Sequence, residues 1–218
     1  MRRLYVDNIR WMTVCVIVVF HVVYIFNAIV REGTAPCFRP VQYQDAYMYL
    51  VYPWMLIILF IISGMCARWY LEKHGLKEFF ISRTDKLLIP STLGMLVFHW
   101  IHGYINIKAA GGYSVLGLPK YLEYPVMVIE GLGALWFIQA LWVFSMLLIA
   151  VRLLENRSGG KLFALSDRYN APLAAALVLP VWGASFILNL SFYKGYKMGI
   201  YGLCFFIGYF VFANERVI

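Results

Sequence analysis

From Trp11 to Val30 the chain runs for twenty residues without one formally charged side chain. At ~1.5 Å per residue such a run crosses a bilayer's hydrocarbon layer, and few other environments tolerate it. Two residues complicate it. Arg10 stands at its mouth and His21 lies within it. Eleven positions at ~100° each return the two side chains to within ~20° of one face, roughly 16 Å apart along the axis. An ionisable group inside a span is costly enough to mark a functional site by default. The competing reading is a snorkelling interfacial arginine and a core histidine bonded to a neighbouring helix.

The rest of the chain repeats the pattern. Its 218 residues are 62% apolar and 14% charged, with a mean hydropathy of +0.72. A soluble domain carries about 25% charge, so the composition predicts an all-α, polytopic transmembrane helical bundle. Hydropathy places about six spans near 9–30, 46–67, 88–107, 126–151, 171–192 and 198–213, in a single membrane-embedded domain covering 1–218. With the N-terminus cytoplasmic, thirteen Lys and Arg fall in inner segments and six in outer ones. The net charge of +8 therefore sets topology in a plasma or inner membrane and does not call for nucleic acid.

The four cysteines, Cys15, Cys37, Cys66 and Cys204, form no C-x-x-C pair, and no metal site is expected. The Met-Arg-Arg start resembles a signal peptide, but the apolar run is too long and holds a histidine, so it reads as a retained span. The outer loop from Arg31 to Asp45 is punctuated by Gly33, Pro36 and Pro40. The second span ends in FIISGM, where Gly64 permits close approach of another helix and Ser63 could bond across it.

The segment from Arg68 to Pro90 is the most charged part of the chain. On an α-helix Arg83 and Lys86, three apart, point the same way, which suits a phosphate; a lipid-facing topological anchor is the alternative. His99 and His102 sit at i, i+3 in the third span. Counting outward from Lys86 at ~1.5 Å per residue puts His99 near the level of His21, where both could line one outer cavity; an interfacial pair without catalytic duty is the alternative. The loop AAGGYSVLGLPKYLEY leads to Pro125, well placed to open the fourth span, with Glu130 nearby and Gln139 farther in as an interhelical hydrogen-bonder. Pro180 predicts a kink in the fifth span. A tight turn around Asn189 to Lys197 precedes the sixth. No internal repeat is present, which disfavours a transporter.

Taken together, the motifs resemble the integral-membrane acyltransferase family 3. Its first helix carries an Arg, ten residues and a His, here Arg10 and His21, with Asp7 ahead of the Arg. FIISGM resembles the family's aromatic-x-x-Ser-Gly signature. FFISRTDKLLIPS resembles its R-x-x-R element, with Lys86 in place of the second Arg. ALWFIQAL, containing Trp136, resembles its Leu-Trp-Phe segment. The likeness is strongest to the glucan-modifying branch that succinylates periplasmic glucans.

The resemblance implies transfer of an acyl group from cytoplasmic acyl-CoA (acetyl-CoA or succinyl-CoA) to a carbohydrate or other hydroxyl acceptor at the outer face. Arg83 and Lys86 would hold the CoA phosphates, His21 would serve as general base or transient acyl carrier, and Arg10 would orient the donor. Asp7, Ser63, Gly64, His99, His102 and Trp136 would support the site. Lys86 keeps the charge of the second Arg but not its bidentate geometry. Family members have around ten spans against about six here. A partner subunit would supply the rest, or the chain is a short or truncated form, with a non-catalytic membrane subunit as the rival to an enzyme.

Overall fold

The computed structural model describes residues 3–24, 43, 45–109, 119–131, 133, 135–157, 159–166, 168–188 and 197–217. The outer loop bearing Cys37, most of the Gly- and Tyr-rich loop after Lys108, the body of the turn after Asn189 and the Glu130 side chain lie outside the described residues. The architecture is an all-α membrane bundle, with no strand among the described residues. Four helices are long and apolar enough to cross a bilayer: Leu4–Tyr24, Asp45–Leu71, Trp136–Arg157 and Ala171–Leu188. The chain divides into two compact units, 1–75 with 147–218, and 76–146.

The first unit is built on α2 (Asp45–Leu71). α1 (Leu4–Tyr24) buries Val6, Thr13 and Phe20, one residue every second turn, and packs against α2 along that narrow stripe. Val6 clusters with Ile62 and Met65, whereas Phe20 clusters with Met48, Val51 and Met55, so the two helices are antiparallel. The Tyr47 hydroxyl donates to the Val16 carbonyl at 2.9 Å, and the Thr13 hydroxyl donates to Ile9 at 2.7 Å, which satisfies both polar groups on the seam.

On its other side α2 meets α11 (Met198–Ile207) and the π turn Gly208–Phe212 that continues it. Phe60 stacks on Tyr201 with centroids 5.0 Å apart, and Trp69 Nε1 donates to the Ala213 carbonyl at 3.4 Å; the two helices run parallel. Glycine permits this contact from both directions. A Cβ on Gly64 would strike the Phe205 carbonyl oxygen and sit 2.8 Å from the Tyr209 nitrogen, and one on Gly208 would strike the Ile61 carbonyl. Without a hydrophobic drive between helices in lipid, such backbone-to-backbone approach is what holds them together.

The fifth span read from hydropathy is two helices, α9 (Ala171–Ala176) and α10 (Val178–Leu188), interrupted at Leu177. Pro180 lacks the N–H that would bond Ala176, so the ladder breaks one turn before it. The Asn170 side chain caps α9 by accepting from Leu173 N at 3.1 Å. α8 (Lys161–Ser166) follows α7 (Trp136–Arg157), whose second half belongs to this unit.

The second unit differs from the hydropathy reading in two places. Residues 76–109 form a helical path, α3 (Leu76–Arg83), α4 (Ile89–Gly94) and α5 (Trp100–Ala109), joined by π turns at Thr84–Leu88 and Met95–His99. Pro90 explains the first π turn. With no N–H at Pro90, the Ile89 amide reaches back five residues to the Thr84 carbonyl. The stretch 126–151 contains a break at 131–135 between α6 (Lys120–Glu130) and α7. α6 also begins at Lys120 after Pro119, so Pro125 lies inside it rather than at its start. The break begins at a close packing contact. A Cβ on Gly103 would strike the Met127 carbonyl and one on Gly131 the His99 carbonyl, so α5 and α6 pack antiparallel at backbone contact.

Candidate functional site

In α1 the charged and titratable groups are held by their own helix. Arg10 Nη2 donates to Asp7 Oδ1 at 2.9 Å, an i, i+3 pair with the Arg side chain 53% exposed. His21 lies in the last described turn, and its Nδ1 is 2.8 Å from the Ile17 carbonyl oxygen. A carbonyl only accepts, so Nδ1 is the donor here, and Nε2 is the ring nitrogen left out of this bond. The imidazole is exposed and meets the Phe20 ring edge-on, centroids 5.8 Å apart. Phe20 in turn stacks on Tyr52 at 5.9 Å. Among the described residues, the histidine is thus oriented by a hydrogen bond within its own helix. At ~100° per residue Arg10 and His21 sit about 40–100° around the helix from the buried Val6, Thr13 and Phe20 stripe, on its flank.

Gly64 is buried at the α2–α11 contact, and Ser63 beside it is half-buried. FIISGM therefore has a structural role in this fold, whatever else it does.

The basic pair lies in the second unit. The Arg83 guanidinium sits over the Phe79 ring, 5.0 Å from its centroid, and Phe79 is fully buried. Lys86 is exposed within the π turn Thr84–Leu88. The wider turn between them alters the α-helical register on which their common direction was expected. Trp142 Nε1 donates to Thr84 Oγ1 at 3.2 Å, which fastens this turn to α7.

His99 and His102 converge on the α6–α7 break. His99 is 8% exposed, its Nδ1 is buried without a hydrogen-bond partner, and its Nε2 would lie 3.9 Å from a Cβ on Gly133. His102 Nδ1 is 3.4 Å from the Gly131 carbonyl. Gln139 Nε2 approaches the Met95 sulfur at 3.6 Å. Trp136 is half-buried at the head of α7, edge-on to Phe137 with centroids 6.4 Å apart. No group of three or more His, Cys, Asp or Glu with metal-binding placement occurs among the described residues. Asp7, Arg10, His21, Ser63 and Gly64 thus belong to the first unit, and Arg83, Lys86, His99, His102 and Trp136 to the second.

A further cluster was not visible in the sequence. At the end of the first unit where α1 begins and α2 ends, Arg3 pairs with Glu215 at 2.6 Å and lies over the Trp69 ring at 4.6 Å. Arg68 Nε donates to Glu72 at 2.8 Å. Arg68 and Arg152 both rest on Phe163, at 4.3 and 4.5 Å from its centroid. In sequence these arginines carry no motif; they read only as positive charge near span ends.

No curated protein matches the chain, and no solved structure matches it. The family model described as an acyltransferase domain, that of acyltransferase family 3, matches residues 3–218. That match takes in α1 with Arg10 and His21, the FIISGM end of α2 and the Arg83–Lys86 turn. The chain belongs to acyltransferase family 3, a family of membrane acyltransferases.

Proposed function

We propose that the protein is a membrane O-acyltransferase of the glucan-modifying branch, moving an acyl group from cytoplasmic acyl-CoA to a hydroxyl of an extracytoplasmic glycan. The observation that carries this reading is the hydrogen bond that orients His21. With Nδ1 donating to Ile17, Nε2 is the ring nitrogen left to face a substrate, on the flank that also holds Arg10. Nε2 would take the proton of the acceptor hydroxyl as its oxygen attacks the thioester carbonyl. A C–O bond forms, the C–S bond breaks, and the proton passes to the departing CoA thiolate. Alternatively, Nε2 attacks the thioester itself and carries the acyl group before the hydroxyl takes it. Arg83 and Lys86 would bind the CoA phosphates, and Arg10, already oriented by Asp7, would steer the donor.

A second reading is a non-catalytic membrane subunit that packs against helices of a partner. It is favoured by the exposure of α10, where Val178, Leu179, Phe186 and Ile187 are each about 70% exposed. Acyl-CoA turnover by the purified protein in nanodiscs, beside His21→Ala, separates the two. The enzyme predicts turnover that falls by ~10²–10⁴ in the variant with CoA binding retained. Turnover unchanged by the substitution would remove His21 from the chemistry. No turnover from a well-folded, CoA-binding sample would favour the subunit.

A further inference from the structure

We infer that the crevice where α2, α10 and α11 meet holds one acyl chain of an anionic phospholipid, with the lipid phosphate against Lys197. The site is separate from α1 and from the Arg83–Lys86 turn, and it is independent of whether the protein transfers acyl groups. α11 packs on both α2 and α10. Between the three lies a cavity of about 500 Å³, to which α2 contributes Tyr52 and Ile61, α10 contributes Val181 and Trp182, and α11 contributes Cys204, with Lys197 at its start. Tyr52 and Trp182 are themselves 47% and 64% exposed, so the cavity opens sideways, where lipid lies.

Length, girth and polarity together specify an acyl chain. The lining runs down α11 from Lys197 to Phe212 in the π turn that continues it, roughly 20 Å at ~1.5 Å per residue. The hydrocarbon of one leaflet is about 15 Å deep, so an extended lipid chain can lie along the crevice. A further transmembrane helix, ~10–12 Å across and equally long, would need several times the volume available. The wall is mostly aliphatic and aromatic, and the Ser185 hydroxyl on it already donates to the Trp182 carbonyl at 2.6 Å, so water would find few partners there. Left empty, the cavity would forfeit contacts along every wall. Lipid surrounds these helices in any case, so close packing rather than a hydrophobic drive holds the chain in place.

The headgroup is set by one end of the crevice. Lys197 caps the start of α11, at the end of the unit away from Arg3 and Glu215. α10 finishes beside it: the Leu188 carbonyl oxygen lies 2.8 Å from where a Cβ on Gly199 would stand. Two membrane helices therefore end at this level, which is headgroup depth. No Asp or Glu occurs between Asp167 and Glu215, whereas Lys194 and Lys197 both do. Lys197 makes no ion pair among the described residues. An ammonium so placed attracts phosphate, and a headgroup of net negative charge brings no cation of its own to meet the lysines, as choline would.

The test uses the full chain in phosphatidylcholine nanodiscs containing a minor share of phosphatidylglycerol, with the lipids retained by the released protein counted by native mass spectrometry. One phosphatidylglycerol per chain is expected, enriched over its share of the disc. Lys197→Gln should cut that enrichment about fivefold, the effect of one lysine near an anionic surface. Lys120→Gln, exposed in the other unit, should leave it unchanged. Val181→Trp fills the crevice and should lower the retained lipid of either headgroup. Wild-type protein supplies a second readout that needs no variant. Phosphatidylglycerol with a diazirine in its acyl chain should cross-link chiefly to the α10 and α11 walls, and unlabelled phosphatidylglycerol should compete better than phosphatidylcholine. No enrichment, enrichment or retention that well-folded Lys197→Gln and Val181→Trp leave unchanged, or cross-links that avoid the crevice would overturn the assignment.

Discussion

Two arginines in the first unit make opposite use of the fold. Arg10 meets Asp7 three residues away on its own helix, half exposed. Arg68 is fixed by Glu72 four residues on, and also by Phe163 and Tyr209, which arrive from two distant helices. His21 belongs with Arg10, since its hydrogen bond returns to Ile17. The Arg10–Asp7 and His21–Ile17 bonds therefore need only α1 to form, whereas the Arg68 cluster exists only when α2, α7, α8 and the π turn after α11 are all in place. A site poised by local bonds can tolerate movement of its neighbours, as passage of a bulky substrate requires. A site assembled from four helices reports on their packing.

This contrast is open to attack at several strengths. Gly208→Val should have the largest effect, because the new side chain meets the Ile61 backbone rather than a side chain that can turn aside. A loss of about 2–3 kcal/mol or more is expected, read as a lower unfolding midpoint in detergent, with the Arg68 cluster lost before α1 helicity. A neutral outcome would mean that the α2–α11 contact is not close in the membrane. Next, Arg83→Ala should weaken CoA binding about tenfold if it contacts phosphate, against little change for a neutral substitution at the exposed Lys73. Equal effects at the two positions would leave Arg83 as a topological charge. The smallest effect belongs to Asp7→Asn and Arg10→Gln combined in a double-mutant cycle. Their coupling in stability should be only ~0.3–0.5 kcal/mol, as befits an exposed pair on one helix. A coupling several times larger would show that the pair has tertiary partners and would erase its difference from Arg68.

What could be read from the sequence follows the same division. The Asp7–Arg10 spacing and the interruption ahead of Pro180 are local facts and were legible. Gly64 was legible as a place of close approach, though not the reciprocal Gly208 or the identity of the partner helix. The break at 131–135 was hidden because hydropathy runs smoothly through Ile129 to Trp136. It begins where the backbone of His99, some thirty residues earlier, comes too close to Gly131 for any side chain there. Two glycines with one residue between them, Gly131 and Gly133, were the available hint. The π turn at Arg83 and Lys86 likewise goes with Pro90, which has no N–H to give and lies behind the Ile89 amide that reaches back to Thr84. Arg68 and Arg152 could not have been paired at all, since only the fold brings them to one ring.

The reciprocal glycine contact also bears on how the protein is made. α2 leaves the ribosome with its Gly64 groove shaped for a helix that has not yet been synthesised. Gly208 follows 144 residues later, a wait on the order of ten seconds at ordinary elongation rates. Through that interval the groove faces lipid or the insertion machinery. A small-residue face left open in this way is also a place where a foreign helix could lodge until the helix bearing Gly208 arrives.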